Sequence, residues 1–141
     1  MGYYVEMGID LHQVSIKNQT NILKAINKMH EPKQVQRNGS GGCWTSGKQT
    51  DTWYAWVGNP GPEGFKTCKQ ALSEWRYQST INKNKSLSID YFDGEKWGDD
   101  AQLFAAIGPF LNGDIVCTGE DGEIWKYSFH DGKVFTSTGV V

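Results

Sequence analysis

The sequence predicts a single α+β domain, residues 1–141, with a largely antiparallel sheet of about six strands and about three helices packed on one face. Three observations carry this. The run from Gly119 to Val134, GEDGEIWKYSFHDGKV, alternates so that Trp125, Tyr127 and Phe129 share one face while Ile124, Lys126 and Ser128 share the other, between two acidic glycine turns. Strand patterns meet at tight turns late in the chain, whereas helical patterns fall early, which favours hairpins over a parallel β-α-β alternation. Finally, 141 residues that are 38% apolar, with six Trp, six Tyr and six Phe, suffice for one core.

The elements follow in order. Tyr3 to Ile9 is rich in strand formers, with Tyr3, Val5 and Met7 on one face, and Leu11 to Ile16 is read as an extension or bulge through Gly8. Asn18 is the expected cap of a helix whose Ile22, Leu23, Ala25, Ile26 and Met29 keep helical spacing, and Pro32 ends it. A Gly, Ser and Thr-rich loop covers about residues 37–52 and leads into an expected strand from Trp53 to Val57. After the turn GNPGPEG, Phe65, Cys68, Ala71, Leu72 and Trp75 form the apolar stripe of a helix expected from Phe65 to Tyr77.

Leu87 to Phe92 is the next strand, and Asp93-Gly94 turns it toward Glu95 to Trp97. Asp99 or Asp100 is placed to cap a helix carrying Leu103, Phe104, Ala106 and Ile107, which Gly108-Pro109 ends. The C-terminal hairpin region spans about residues 114–138. In it, strands from Asp114 to Thr118, Ile124 to Phe129 and Lys133 to Thr138 are joined by the Glu120-Asp121-Gly122 turn and the Asp131-Gly132 pair.

Composition removes several function classes. A net charge of −2, from 14 basic and 16 acidic residues, offers no drive toward nucleic-acid phosphates, so direct DNA binding is not expected. No window approaches the apolar length of a membrane span, and MGYYVEMGID has no basic-then-apolar leader pattern, so the expectation is a soluble, cytoplasmic protein. Cys43, Cys68 and Cys117 are widely spaced and form no Cys-x-x-Cys pair, which points to reduced, inert thiols.

The chemical motifs are incomplete. Gly42 to Lys48, GCWTSGK, fits the start of a phosphate-binding loop, but Gln49 stands where Ser or Thr would hold the metal, and a strand pattern follows where a helix is required. What survives is anion binding by converging glycine amides. His12, His30 and His130 lie in no ligand motif, and His30 suits a helix C-terminus. Asp99-Asp100 and Glu120-Asp121-Gly122-Glu123 are read first as cap and turn residues and only second as an acid–base pair or a cation site. No catalytic residue, metal or cofactor is assigned.

Aromatic content gives the functional hint. Trp44, Lys48, Trp53, Trp56, Arg76, Tyr77 and Trp97 are the candidate binding residues, near the glycine-rich loop and of the types enriched at binding hot spots. Trp53 and Trp56 have opposite strand parity, which would bring at least one large ring to the surface.

YYVEM, WYAWV, ALSEWRY, GEKWGDDAQLFAAIGPFL and GEDGEIWKYSFHDGKV together resemble a family of small uncharacterised proteins of bacteriophages, prophages and other bacterial mobile elements, over most of the chain. The resemblance implies an accessory protein and carries no reaction and no catalytic residues. It favours a non-enzymatic binding protein that inhibits or modulates a bacterial host protein, such as a defence factor. The alternatives are sequestration of a small anionic nucleotide-type ligand, a small hydrolase using acidic residues, and a structural protein closing a homodimer.

Overall fold

A computed structural model of the protein describes residues 2–31, 33–34, 49–50 and 54–139. Among them the chain runs β1 (Val5–Leu11), α1 (Ile16–Met29), β2 (Lys33–Gln34), β3 (Gln49–Thr50), α2 (Cys68–Glu74), β4 (Tyr77–Ile81) and β5 (Leu87–Phe92). It continues through α3 (Asp100–Ile107), a single 3₁₀ turn (Gly108–Phe110), β6 (Gly113–Gly119), β7 (Ile124–His130) and β8 (Lys133–Thr138). This is the α+β class expected from the sequence, and every strand pairing is antiparallel.

The main sheet has the order β1-β6-β7-β8, and β4 with β5 forms a separate hairpin. That hairpin lies along the free side of β1, and bridges just outside the strands, between Tyr4 and Lys96 and between Val14 and Leu87, flank the contact at its two ends. The three C-terminal strands follow the expected meander. Asp131 and Gly132 both have positive φ, 52° and 75°, which suits a two-residue turn whose twist matches its strands.

Side-chain parity decides what is buried. In β1, β6 and β7 the odd-numbered residues face the helices, and Val5, Ile115, Cys117, Tyr127 and Phe129 lie in the core. The expected aromatic ladder of β7 is therefore an inner face. Phe104 of α3 meets Tyr127 at 4.8 Å and Phe129 at 6.0 Å between ring centroids, and Trp97 stands edge-on to Trp125 at 5.3 Å. Such ring pairs add about 0.5–1.5 kcal/mol each beyond their buried area. Ile22 and Ile26 of α1 and Leu103 and Ile107 of α3 complete the layer above the sheet.

Several boundaries differ from the sequence reading. Ser15, not Asn18, caps α1, its side chain accepting from the Asn18 amide at 3.2 Å. The strand β1 passes through Gly8 without a bulge, Gly8 pairing with Val116. The helix expected from Phe65 to Tyr77 is only Cys68–Glu74, capped by Thr67, and Arg76 at φ 76° turns the chain into the unexpected strand β4.

The expected strand from Trp53 to Val57 fails over its described part: Tyr54 to Val57 is a tight turn. The Val57 amide donates to the Tyr54 carbonyl at 3.3 Å, and Trp56 sits at φ 67°. Anchoring outweighs alternation there, because Tyr54 and Val57 both turn inward and leave Trp56 at the apex.

Candidate functional site

The loop that carries Lys96 and Trp97 is built on a buried ion pair. Asp100 is fully buried, and its carboxylate takes Nη2 of Arg76 at 2.9 Å, the Tyr77 hydroxyl at 2.9 Å and the Gly98 amide at 2.9 Å. Arg76 also donates Nη1 to the Lys96 carbonyl at 2.6 Å, stacks over Phe92 at 5.0 Å and accepts from the Asp93 amide through its own carbonyl. Burying a carboxylate is costly unless it is paired and hydrogen-bonded, and these partners meet that need. Burial, and then the neighbouring Asp100 charge, raise the Tyr77 hydroxyl well above its ordinary pKa, so it remains a donor.

Asp99, expected as a cap, makes no cap hydrogen bond and instead accepts the Ala55 amide at 2.7 Å. Tyr54 donates its hydroxyl to the Met29 carbonyl at 2.9 Å, so the 54–57 turn is fastened to α3 on one side and to α1 on the other. Trp56 projects from it with 53% of its surface exposed. Its ring lies against Gly98, where an added Cβ would approach the indole Cδ1 to 2.9 Å. Only glycine lets the two loops come this close.

Lys96 lies between two rings. Its ammonium is 5.3 Å from the centre of Tyr4 and 5.6 Å from that of Trp56, both within the range of a cation–π contact. Tyr4 is held by paired bonds with Glu120, its amide donating to the Glu120 carboxylate at 3.0 Å and its carbonyl accepting the Glu120 amide at 2.9 Å. The result is a surface row on pinned backbone, with Trp56 and Tyr4 exposed and Lys96 half-buried between them.

Beside Tyr4 opens a cleft of about 690 Å³ between the end of β1, the β5–α3 loop and the end of β6, lined by Glu6, Gly94, Glu95, Thr118 and Glu120. Gly119 forms part of its wall because the Tyr3 ring packs where a side chain would stand, and the Tyr3 hydroxyl bonds Asp121. That bond, assisted by the surrounding carboxylates, pushes the Tyr3 hydroxyl up to about 12 and lowers Asp121. Aromatic surface thus borders a carboxylate-lined recess.

The candidate residues divide among three settings. Trp56 is on the surface. Trp97 is half-buried between Trp125 and Tyr127, while Arg76 and Tyr77 point inward to Asp100 and support the Lys96 loop from beneath. Trp44, Lys48 and Trp53, with the phosphate-loop-like segment and Cys43, lie outside the described residues. Tyr4 and Lys96 were missed. The signal for Tyr4 was its parity, opposite to the core-facing Tyr3, Val5 and Met7.

The histidines stay apart. His30 is buried at the C-terminus of α1 among Tyr54, Phe65 and Trp75, and burial lowers its pKa. His130 pairs with Asp131 at 3.2 Å on the exposed hairpin tip. Among the described residues no group of three or more His, Cys, Asp or Glu is placed to hold a metal ion, and no helix is long and apolar enough to cross a membrane. Comparison of the chain with protein-family models, with curated proteins and with solved structures gives no match.

Proposed function

We propose that this chain is a non-enzymatic binding protein, encoded by a phage or prophage, that modulates a bacterial protein in the cytoplasm through the Trp56–Lys96–Tyr4 row and the adjoining cleft. Trp56 is the observation that carries the reading. A bulky residue in the left-handed region costs roughly 1–2 kcal/mol, and here the strained residue also exposes half of an indole to water. The turn requires the left-handed backbone at this position but not an aromatic side chain, and an exposed indole held on it suits a rigid anchor for a partner.

The surroundings add direction. Glu6, Glu95 and Glu120 favour a basic side chain in the recess, while Trp56 and Tyr4 offer apolar cover at its rim. The partner surface this fits is a basic segment flanked by apolar residues.

The test is capture of partners from a bacterial lysate by the tagged protein, read by native mass spectrometry, with Trp56→Ser, Tyr4→Ser and the distant Lys83→Ala compared in parallel. A protein retained by the parent and by Lys83→Ala, and reduced about 30-fold by Trp56→Ser, as expected of a hot spot worth about 2 kcal/mol, supports the reading. Equal retention by all three variants overturns it.

A further inference from the structure

The second unpartnered feature is an edge rather than a patch. Among the described residues, strand β8 closes the main sheet and pairs with β7 alone. The Gly139 amide donates to Ile124 of β7 at 2.9 Å, so alternation directs the backbone groups of Lys133, Phe135 and Ser137 toward β7 and those of Val134, Thr136 and Thr138 outward. Among the described residues no backbone hydrogen bond reaches these three from beyond β7.

Sheet edges are ordinarily blunted by proline, bulges or inward-pointing charge. Here the strand reads KVFTST, regular throughout its pairing, with its one charge at the hairpin end. Phe135, 53% exposed, lies on the sheet face away from the helices, opposite Ser128.

We infer that β8 pairs edge to edge with a second copy of itself, antiparallel about Thr136, so that two main sheets join into one. This inference stands apart from the Trp56 surface. In that register Val134 meets the partner's Thr138 and Thr136 meets the partner's Thr136, each pair exchanging both backbone bonds. Phe135 faces the partner's Ser137 and lies diagonal to the partner's Phe135, within reach of aromatic contact.

Charge is matched as well. Lys133 arrives opposite the partner's Gly139, beside the acidic β6–β7 turn that carries Asp121 and Glu123. A groove of about 390 Å³ lined by Gly122, Glu123, Ile124, Thr138 and Gly139 lies there. One register therefore satisfies the open backbone, covers the exposed ring and pairs the lysine with carboxylates. No like charges are opposed along the strand.

The experiment is light scattering coupled to size exclusion across the micromolar range, where a single strand pair at the small end of specific interfaces should associate. The parent should pass from one chain mass toward two as concentration rises. Thr136→Pro removes one outward amide and no bond to β7, so it should remain a monomer with an unchanged circular dichroism spectrum; Thr136→Lys is the second edge-blocking variant, should proline unfold the strand. Lys133→Glu should weaken the dimer at least 10-fold, and addition of Glu123→Lys should restore it. A parent that stays monomeric throughout, or folded Thr136 variants that dimerise as the parent does, overturns the inference.

Discussion

Arg76 and Asp100 form a buried ion pair at 2.9 Å, with 14% and 0% of their side chains exposed, and the loop bearing Lys96 is tied to it. Removing one member leaves the other charge without its partner. Arg76→Ala and Asp100→Ala should each lower the unfolding free energy by about 3–5 kcal/mol, measured by urea denaturation. A loss below about 1 kcal/mol in both would mean that the pair does not hold the loop.

His30 supplies a pH dependence. Its Nε2 accepts the Trp75 indole N–H at 3.1 Å, its Nδ1 has no hydrogen-bond partner among the described residues, and burial lowers its pKa, so the folded state favours the neutral ring. The unfolded chain, titrating near 6.5, binds the proton more readily. The stability due to this site is therefore complete above about pH 6.5 and declines as pH falls below it, by at most about 1.4 kcal/mol per unit. Urea midpoints between about pH 7 and 5 should show the decline in the parent and a flatter profile in His30→Gln. Parallel profiles would exclude His30 as its source.

Trp56 separates fold from binding. Trp56→Gly relieves the left-handed backbone while losing the ring's contacts with Gly98 and Lys96. We expect the unfolding free energy to stay within about 1 kcal/mol of the parent. A fall of about 3 kcal/mol or more in thermal or urea unfolding would make Trp56 a structural residue.

Cys68 and Cys117 are buried, and burial pushes both thiols up to about 12. Neither should be alkylated by iodoacetamide near pH 8 in the folded protein, and both should react fully in urea. Peptide mapping of the labelled chain reads this directly. Rapid labelling of either under native conditions would show that the core opens locally.

Burial of the aromatic interior follows the same physics. Trp75 is completely buried, bonded to His30 and 5.0 Å from the Tyr54 ring centre. Trp75→Ala should cost about 3–5 kcal/mol, seen as a large drop in the urea midpoint. A near-neutral effect would contradict its place in the core.

The sequence by itself determined the α+β class, the three C-terminal strands and the inward face of Trp125, Tyr127 and Phe129, because period-two alternation and the Asp131-Gly132 turn are local signals. It also placed α1 and α3 to within a few residues, since helical spacing of apolar side chains is written in consecutive positions. Only the tertiary structure decided that Tyr54 to Val57 turns instead of extending, that Asp100 is a core carboxylate and not a cap, and that Arg76 and Tyr77 point inward. It alone brought Tyr4, Lys96 and Trp56 into one row. Those outcomes rest on contacts between residues about 20 to 90 positions apart, such as Asp99 with Ala55 and Tyr4 with Lys96, and on burial energies that override local preference.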